Sequence, residues 1–297
     1  MNLLITGAWQ GAQEHFEEIE ALGHRIAFLQ QEQDPLPCDP EWVEGAICNG
    51  LFLHHPIGGF PNLRFIQLTS AGFDRVDMDY VRAHGIDIHN ARGVYSIPMA
   101  EFAVGGVLQI YKQARFFCEG QAAHRWEKHR GLRELFGKTV TVVGCGSVGT
   151  ECAKRFRAFG CRVIGVDIAP RTDEAYESML PIGNFDEILP TTDVLVLTVP
   201  LTCETERLID RRRLGLLPGS AVVVNISRGR VLDETALCEL IESGRLSGAV
   251  LDVFETEPLP ASSPLWDAPN TVLTPHNSFV SEGNGERLAG LIIDALL

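Results

Sequence analysis

The run with the clearest chemical signature is Thr139-Val-Thr-Val-Val-Gly144-Cys-Gly146-Ser-Val-Gly149, a glycine triplet of GxGxxG spacing that closes a β-branched run and opens a helix-period one. In that setting each glycine has a task. Gly144 permits a tight turn, Gly146 lets the backbone approach a pyrophosphate, and Gly149 allows a helix to pack closely on a strand. Free N–H groups at the helix start attract the anion. Asp167 stands about 18 residues beyond Gly149, after a second β-branched run, where a carboxylate binds the adenosine ribose hydroxyls and repels the 2′-phosphate of NADP. The spacing alone is weak, because 29 glycines produce such patterns in ordinary turns. Joined to Asp167 it points to NAD, and Arg171, four residues on, keeps NADP open.

Such residues need a scaffold, and the sequence supplies one. Short β-branched runs alternate with helix-period segments along the whole chain, the mark of parallel α/β units. Residues 3–6, 25–29, 46–48, 65–68 and 86–88 read as strands of a small first domain, with helices over 13–22 and 77–83. From Pro98 the pattern becomes one long helix to about Gly120, the bridge to a second domain. Strands follow at 139–143, 162–166, 194–199, 221–225, 249–253 and 271–273, with helices that include 148–159 and 234–243, and a last helix begins near Glu286.

Composition narrows the function classes. A length of 297 residues suits two domains, each able to bury a core. Asp and Glu number 39 against 25 Lys and Arg, a net charge of -14 that repels nucleic acid, and the densest basic run, Arg211-Arg212-Arg213, is too short to offset it. No apolar run reaches the length of a membrane span, and MNLLITGAWQ lacks the basic start of a secretory signal. The eight cysteines show no CxxC spacing and read as reduced thiols of a cytoplasmic protein. His54-His55 and the pair His124 and His129 make no metal pattern, and no GxSxG or GxxxxGK[ST] motif is present.

Three further segments, Val224-Asn-Ile-Ser227-Arg228-Gly229, Leu251-Asp252-Val-Phe-Glu-Thr-Glu257-Pro258 and Leu273-Thr-Pro-His276, resemble the D-isomer-specific 2-hydroxyacid dehydrogenases. The likeness runs in order over nearly the whole chain, through Ser70-Ala71-Gly72, Gly93-Val-Tyr95, Ala100-Glu101, Gly137-Lys138-Thr139 and Val199-Pro200-Leu201. It implies an α/β architecture of two doubly wound parallel-sheet domains. A Rossmann NAD-binding domain, 96–280, would be inserted into a smaller flavodoxin-like substrate domain, 1–95 plus 281–297.

The resemblance implies that Arg228, Glu257 and His276 form the catalytic set, and the chemistry asks for those types. A guanidinium holds a 2-keto acid's carboxylate and polarises its carbonyl. The carbonyl oxygen takes a proton as hydride arrives at C2, work suited to His276. Glu257 would orient the imidazole and favour its charged form. The same likeness assigns Ser147, Val148, Val199, Pro200 and Ser227, beside the three glycines and Asp167, to the cofactor, and Asp252 to the nicotinamide carboxamide. Ser70, Ala71 and Gly72 would hold the substrate carboxylate through backbone N–H groups. Tyr95 either lines the substrate pocket or is a core tyrosine.

The sequence departs from the family where small residues, often glycine, usually follow the catalytic histidine: here stand Asn277-Ser278-Phe279, and Phe279 narrows the pocket. The expectation is a hydride-transferring oxidoreductase that uses NAD and a small 2-keto or 2-hydroxy acid, D-stereospecific. It would be a homodimer through the cofactor domain, because the long helix from Pro98 carries more apolar positions than one domain face needs. The second reading is a dinucleotide-sensing interaction protein of the same fold; with no long tail for partners, the sequence favours the enzyme.

Overall fold

The structure is a computed structural model that describes all residues, 1–297. The chain divides into two compact units, Met1–Tyr95 with Ser281–Leu297, and Ser96–Val280. In the first, strands β1 (Asn2–Thr6), β2 (Arg25–Leu29), β3 (Gly45–Cys48), β4 (Phe65–Leu68) and β5 (Asp87–His89) form one sheet of order β2-β1-β3-β4-β5. Every neighbouring pair is parallel. This is the flavodoxin-like order, in which the chain moves to opposite sides of β1 to lay down β2 and β3. Both faces are covered: Leu4, Cys48, Ile66 and Leu68 enter one apolar cluster, and Leu3, Ile5, Ile47 and Phe65 enter another that Leu288, Ile292 and Leu296 of the helix Asn284–Leu296 complete.

The second unit contains β6 (Thr139–Val143), β7 (Arg162–Asp167), β8 (Ser178–Pro181), β9 (Val194–Leu197), β10 (Val222–Asn225), β11 (Gly248–Leu251) and β12 (Thr271–Leu273), in the order β12-β11-β10-β9-β6-β7-β8. All pairings are again parallel, and the chain reverses between β6 and β9, the doubly wound dinucleotide-binding topology. Alternation explains why these strands read as unbroken apolar runs: Val194, Val196, Val222, Val224 and Val250 pack into one cluster, whereas Leu195, Leu197, Val223, Ala249 and Leu251 pack into the other. No helix is long and apolar enough to cross a membrane.

The expected long helix from Pro98 to Gly120 is two helices, Ser96–Tyr111 and Ala114–Ala122. Gln113 interrupts it in the left-handed region, at φ 53°, and its own side chain donates 3.0 Å to the Ile110 carbonyl, a local bond that replaces the helical ladder. Strand β8 is absent from the sequence reading because Ser178-Met-Leu-Pro181 is a half-exposed edge strand without an apolar run. Two of the runs overreach at their carboxyl ends. β9 stops at Leu197 and β11 at Leu251, and the residues beyond them leave the sheet as loops.

Candidate active site

The glycine-rich turn follows β6 and leads into the helix Ser147–Ala158. Gly144 has φ 93°, and a Cβ there would lie 2.9 Å from the Val199 nitrogen, so the tight turn and the end of β9 both require glycine. At Gly149 a Cβ would lie 2.0 Å from the Gly144 carbonyl oxygen. A Cβ on Gly146 would instead meet nothing within 4 Å, so the backbone is open there. No side chain caps the helix that follows, which leaves its first N–H groups available to an anion. At the end of β7, Asp167 accepts the Cys145 N–H at 2.7 Å and the Ala169 N–H at 3.0 Å, one on each oxygen. Each oxygen keeps a lone pair for a ribose hydroxyl. An open glycine, uncapped helix N–H groups and a carboxylate tied to the same turn fit a dinucleotide. Cys145 within the turn is a buried filler whose thiol is pushed up to about 11 by burial.

The remaining groups come from the carboxyl ends of β10, β11 and β12, three adjacent strands. Asn225, fully buried at the end of β10, accepts the Ser227 N–H at 3.1 Å and its hydroxyl at 2.8 Å, and donates 3.0 Å to the Arg228 carbonyl. That bracing shapes the Arg228 turn, and Arg228 Nη1 donates 2.8 Å to the Ser227 carbonyl. Gly229 then presses the turn onto the next loop: a Cβ at Gly229 would lie 1.9 Å from the Phe254 carbonyl carbon and 2.4 Å from the Glu255 nitrogen. Glu257 ends this loop. One of its oxygens accepts the Phe254 N–H at 3.1 Å, and the other sits 2.8 Å from His276 Nδ1. An ionised carboxylate only accepts, so Nδ1 carries the proton and Nε2 is left as the reactive nitrogen. Phe279 stands edge-on to the His276 ring at 6.2 Å between centroids and 85°.

Sequence reasoning assigned Asp252 to the cofactor, and the structure turns its carboxylate inward. It is 1% exposed and accepts from the Thr274 hydroxyl at 2.6 Å, Asn277 N–H at 2.7 Å and Ser278 N–H at 3.0 Å. The His276 N–H donates 2.8 Å to the Asp252 carbonyl. His276 is thereby held at φ 52°, a left-handed backbone that a non-glycine residue seldom adopts. Thr274, Asn277, Ser278, Asn225 and Gly229 were missed as supports. Only Asn225 left a trace in the sequence, as a polar residue closing an otherwise apolar strand. Val199 lies against Gly144, Pro200 is exposed and its carbonyl accepts from the Thr205 hydroxyl at 2.6 Å, and Ser227 is buried.

In the other unit the turn Ser70-Ala71-Gly72 follows β4. Its carbonyl oxygens are engaged: Ala91 N–H and Asn90 Nδ2 donate to Ser70 and Ala71 at 2.9 and 2.7 Å, and Ser70 Oγ donates to Gly72 at 3.2 Å. The Tyr95 hydroxyl, raised by burial, donates to the Thr69 carbonyl.

A sheet of this order with this glycine turn and acidic partner defines a dinucleotide-binding domain. Residues 104–278 match the model of the D-isomer specific 2-hydroxyacid dehydrogenase, NAD binding domain. Over 239 residues the chain is 36% identical to a glyoxylate reductase of Thermofilum pendens, an alignment that covers 78% of this chain and 70% of the relative. Two solved structures are similar. A D-isomer specific 2-hydroxyacid dehydrogenase family protein from Aeromonas salmonicida gives a TM-score of 0.85 at 27% identity, covering 99% of this chain and 93% of the other. A D-isomer specific 2-hydroxyacid dehydrogenase from Xanthobacter autotrophicus, in complex with NADPH and MES, gives 0.80 at 28% identity, covering 99% and 94%. The chain belongs to the D-isomer specific 2-hydroxyacid dehydrogenase family and is an NAD-dependent hydroxyacid oxidoreductase.

Proposed function

We propose that the chain interconverts a small 2-keto acid and its D-2-hydroxy acid, with Arg228, Glu257 and His276 as the catalytic set and NAD(H) preferred over NADP(H). The observation that carries the proposal is the 2.8 Å pair of His276 Nδ1 with Glu257, which orients the ring and leaves Nε2 to serve the substrate. Gly144, Gly146, Ser147, Val148 and Gly149 would hold the pyrophosphate of the cofactor, Asp167 its ribose, and Val199, Pro200 and Ser227 its remaining length. When bound, the reduced nicotinamide supplies the hydride that reaches C2. His276 gives its Nε2 proton to the carbonyl oxygen and becomes neutral imidazole. In the reverse direction the neutral ring takes that proton back. Arg228 grips the carboxylate and polarises the carbonyl, and the N–H groups of Ser70, Ala71 and Gly72 suit a carboxylate as well. Tyr95 flanks that turn. Phe279 beside the imidazole favours a small substituent on the acid, in keeping with the glyoxylate reductase relative.

Asp252, which the resemblance assigns to the carboxamide, acts first on the loop that bears His276. Its three loop donors support that part of the reading. Self-association through the cofactor domain is supported by Phe117, Trp126, Leu132 and Phe136, apolar side chains left exposed along 114–136, with Trp126 99% exposed. Eight unpaired cysteines support a reducing, cytoplasmic setting.

The test is steady-state reduction of glyoxylate, pyruvate, hydroxypyruvate and longer branched keto acids with NADH, with NADH binding measured separately. Turnover of a short acid is expected. Tight NADH binding with no turnover on any acid would overturn the proposal. Light scattering at about 33 kDa, the mass of one 32.6 kDa chain, would overturn the dimer.

A further inference from the structure

We propose that Arg171 is a latent ligand for a 2′-phosphate and that Asp173 sets cofactor choice by holding it. This rests on the reading that the glycine turn and Asp167 bind a dinucleotide. Asp167 and Arg171 grip the same residue of that turn, one by its N–H and the other by its carbonyl. Asp167 accepts the Cys145 N–H at 2.7 Å, and Arg171 Nη2 donates 2.9 Å to the Cys145 carbonyl. The guanidinium is therefore tied to the residue whose N–H the ribose carboxylate takes, where an extra phosphate on the ribose would sit.

Arg171 is not committed to that carbonyl. The same Nη2 also faces Asp173 Oδ2 at 3.1 Å and the Thr150 hydroxyl at 3.4 Å, so its two hydrogens are shared among three acceptors. The hydrogen bonds of Arg171 all fall on Nη2, leaving the Nε and Nη1 donors of the planar fork for a phosphate. Asp173 is itself anchored, because its other oxygen accepts the Ala175 N–H at 3.0 Å. The corner thus holds one cation, paired with Asp173, and a second carboxylate, Asp167, on the same turn residue, and its net negative charge disfavours a dianionic phosphate. Removing the Asp173 charge leaves the corner neutral, whereas removing Arg171 leaves two unbalanced carboxylates.

The test is calorimetric titration of 2′,5′-ADP and 5′-AMP into the wild type, Asp173→Asn, Arg171→Ala and the double variant, with kcat/KM for NADPH and NADH measured alongside. Asparagine keeps an oxygen for the Ala175 N–H, and thermal melts check the fold. The ratio of 2′,5′-ADP to 5′-AMP affinity should rise about threefold to fivefold in Asp173→Asn, the size of an exposed charge pair. It should fall below wild type in Arg171→Ala, and Asp173→Asn should gain nothing through the guanidinium in the double variant. An unmoved ratio in Asp173→Asn, or an equal rise without Arg171, overturns the inference. Failure of 5′-AMP and NADH to bind the wild type overturns the cofactor reading beneath it.

Discussion

Gly229→Ala is the sharpest probe of how the site is assembled, since it adds one methyl group and removes no functional group. That methyl would lie 1.9 Å from the Phe254 carbonyl carbon, 2.0 Å from its oxygen and 2.4 Å from the Glu255 nitrogen. All three are backbone atoms and cannot swing aside as a flexible side chain would. Reaching ordinary contact means separating the Arg228 turn from the 254–257 loop by about 1.5 Å. Overpacking of this kind costs about 1–3 kcal/mol of stability. The catalytic cost is larger in proportion, because Arg228 rides on one side of the contact and Glu257, with His276, on the other. A displacement near 1 Å lowers rate by about 10²-fold when reacting groups must align. The expected result is a kcat/KM for keto-acid reduction down on the order of 10²-fold, with a smaller loss of NADH affinity, because the glycine turn and Asp167 lie on β6, β7 and the helix between them and only Ser227 of the cofactor residues rides on the Arg228 turn. Steady-state kinetics, fluorescence titration of NADH and a thermal melt make the measurement. A folded Gly229→Ala enzyme with wild-type kcat/KM would refute the claim that this contact sets the geometry.

Replacing His276 with Ala should lower kcat by about 10²–10⁴, and in the wild type reduction should weaken with rising pH while oxidation strengthens; matching pH trends in both directions would exclude His276 as the proton carrier. Asp252→Asn sets an NH2 group among three donors and should loosen the 274–278 loop, lowering kcat about 10–100-fold with little change in NADH affinity. Lost NADH affinity at preserved kcat would instead assign Asp252 to the cofactor. Glu234 is raised above the usual carboxylate range, first by burial and then by Glu255 and Glu257. A raised acid contributes stability that is fully present below its ordinary pKa and lost as pH climbs past the raised value, so ionised Glu234 is a cost at neutral pH. Glu234→Gln keeps an acceptor for the Glu255 N–H and should raise Tm at pH 7 by up to about 2 °C, with the gain vanishing near pH 4. An equal gain at both pH values would show that charge is not the cause.

Much of this protein is legible in its sequence because the relevant physics is local. Short, unbroken runs rich in β-branched residues, with helix-period segments between them, foretell parallel sheets, and eleven of the strands lie where those runs lie. The glycine turn is legible because a left-handed φ and a backbone contact under 3 Å admit no side chain at Gly144, whatever else the chain does. Local pattern fails where a short-range bond or an edge position competes with it, as at Gln113, whose left-handed backbone breaks the helix, and at the edge strand β8. The site belongs to a different order of information. Glu257 and His276 lie 19 residues apart, and each alone reads as an ordinary loop residue. Only the lateral order β10-β11-β12 brings the Arg228 turn, the Glu257 loop and the His276 loop to one edge of the sheet. The inward turn of Asp252 and the press of Gly229 on Phe254 are decided there too, because they depend on which backbone atoms neighbouring loops present to each other, and that is settled by strand pairing rather than by the residues on either side.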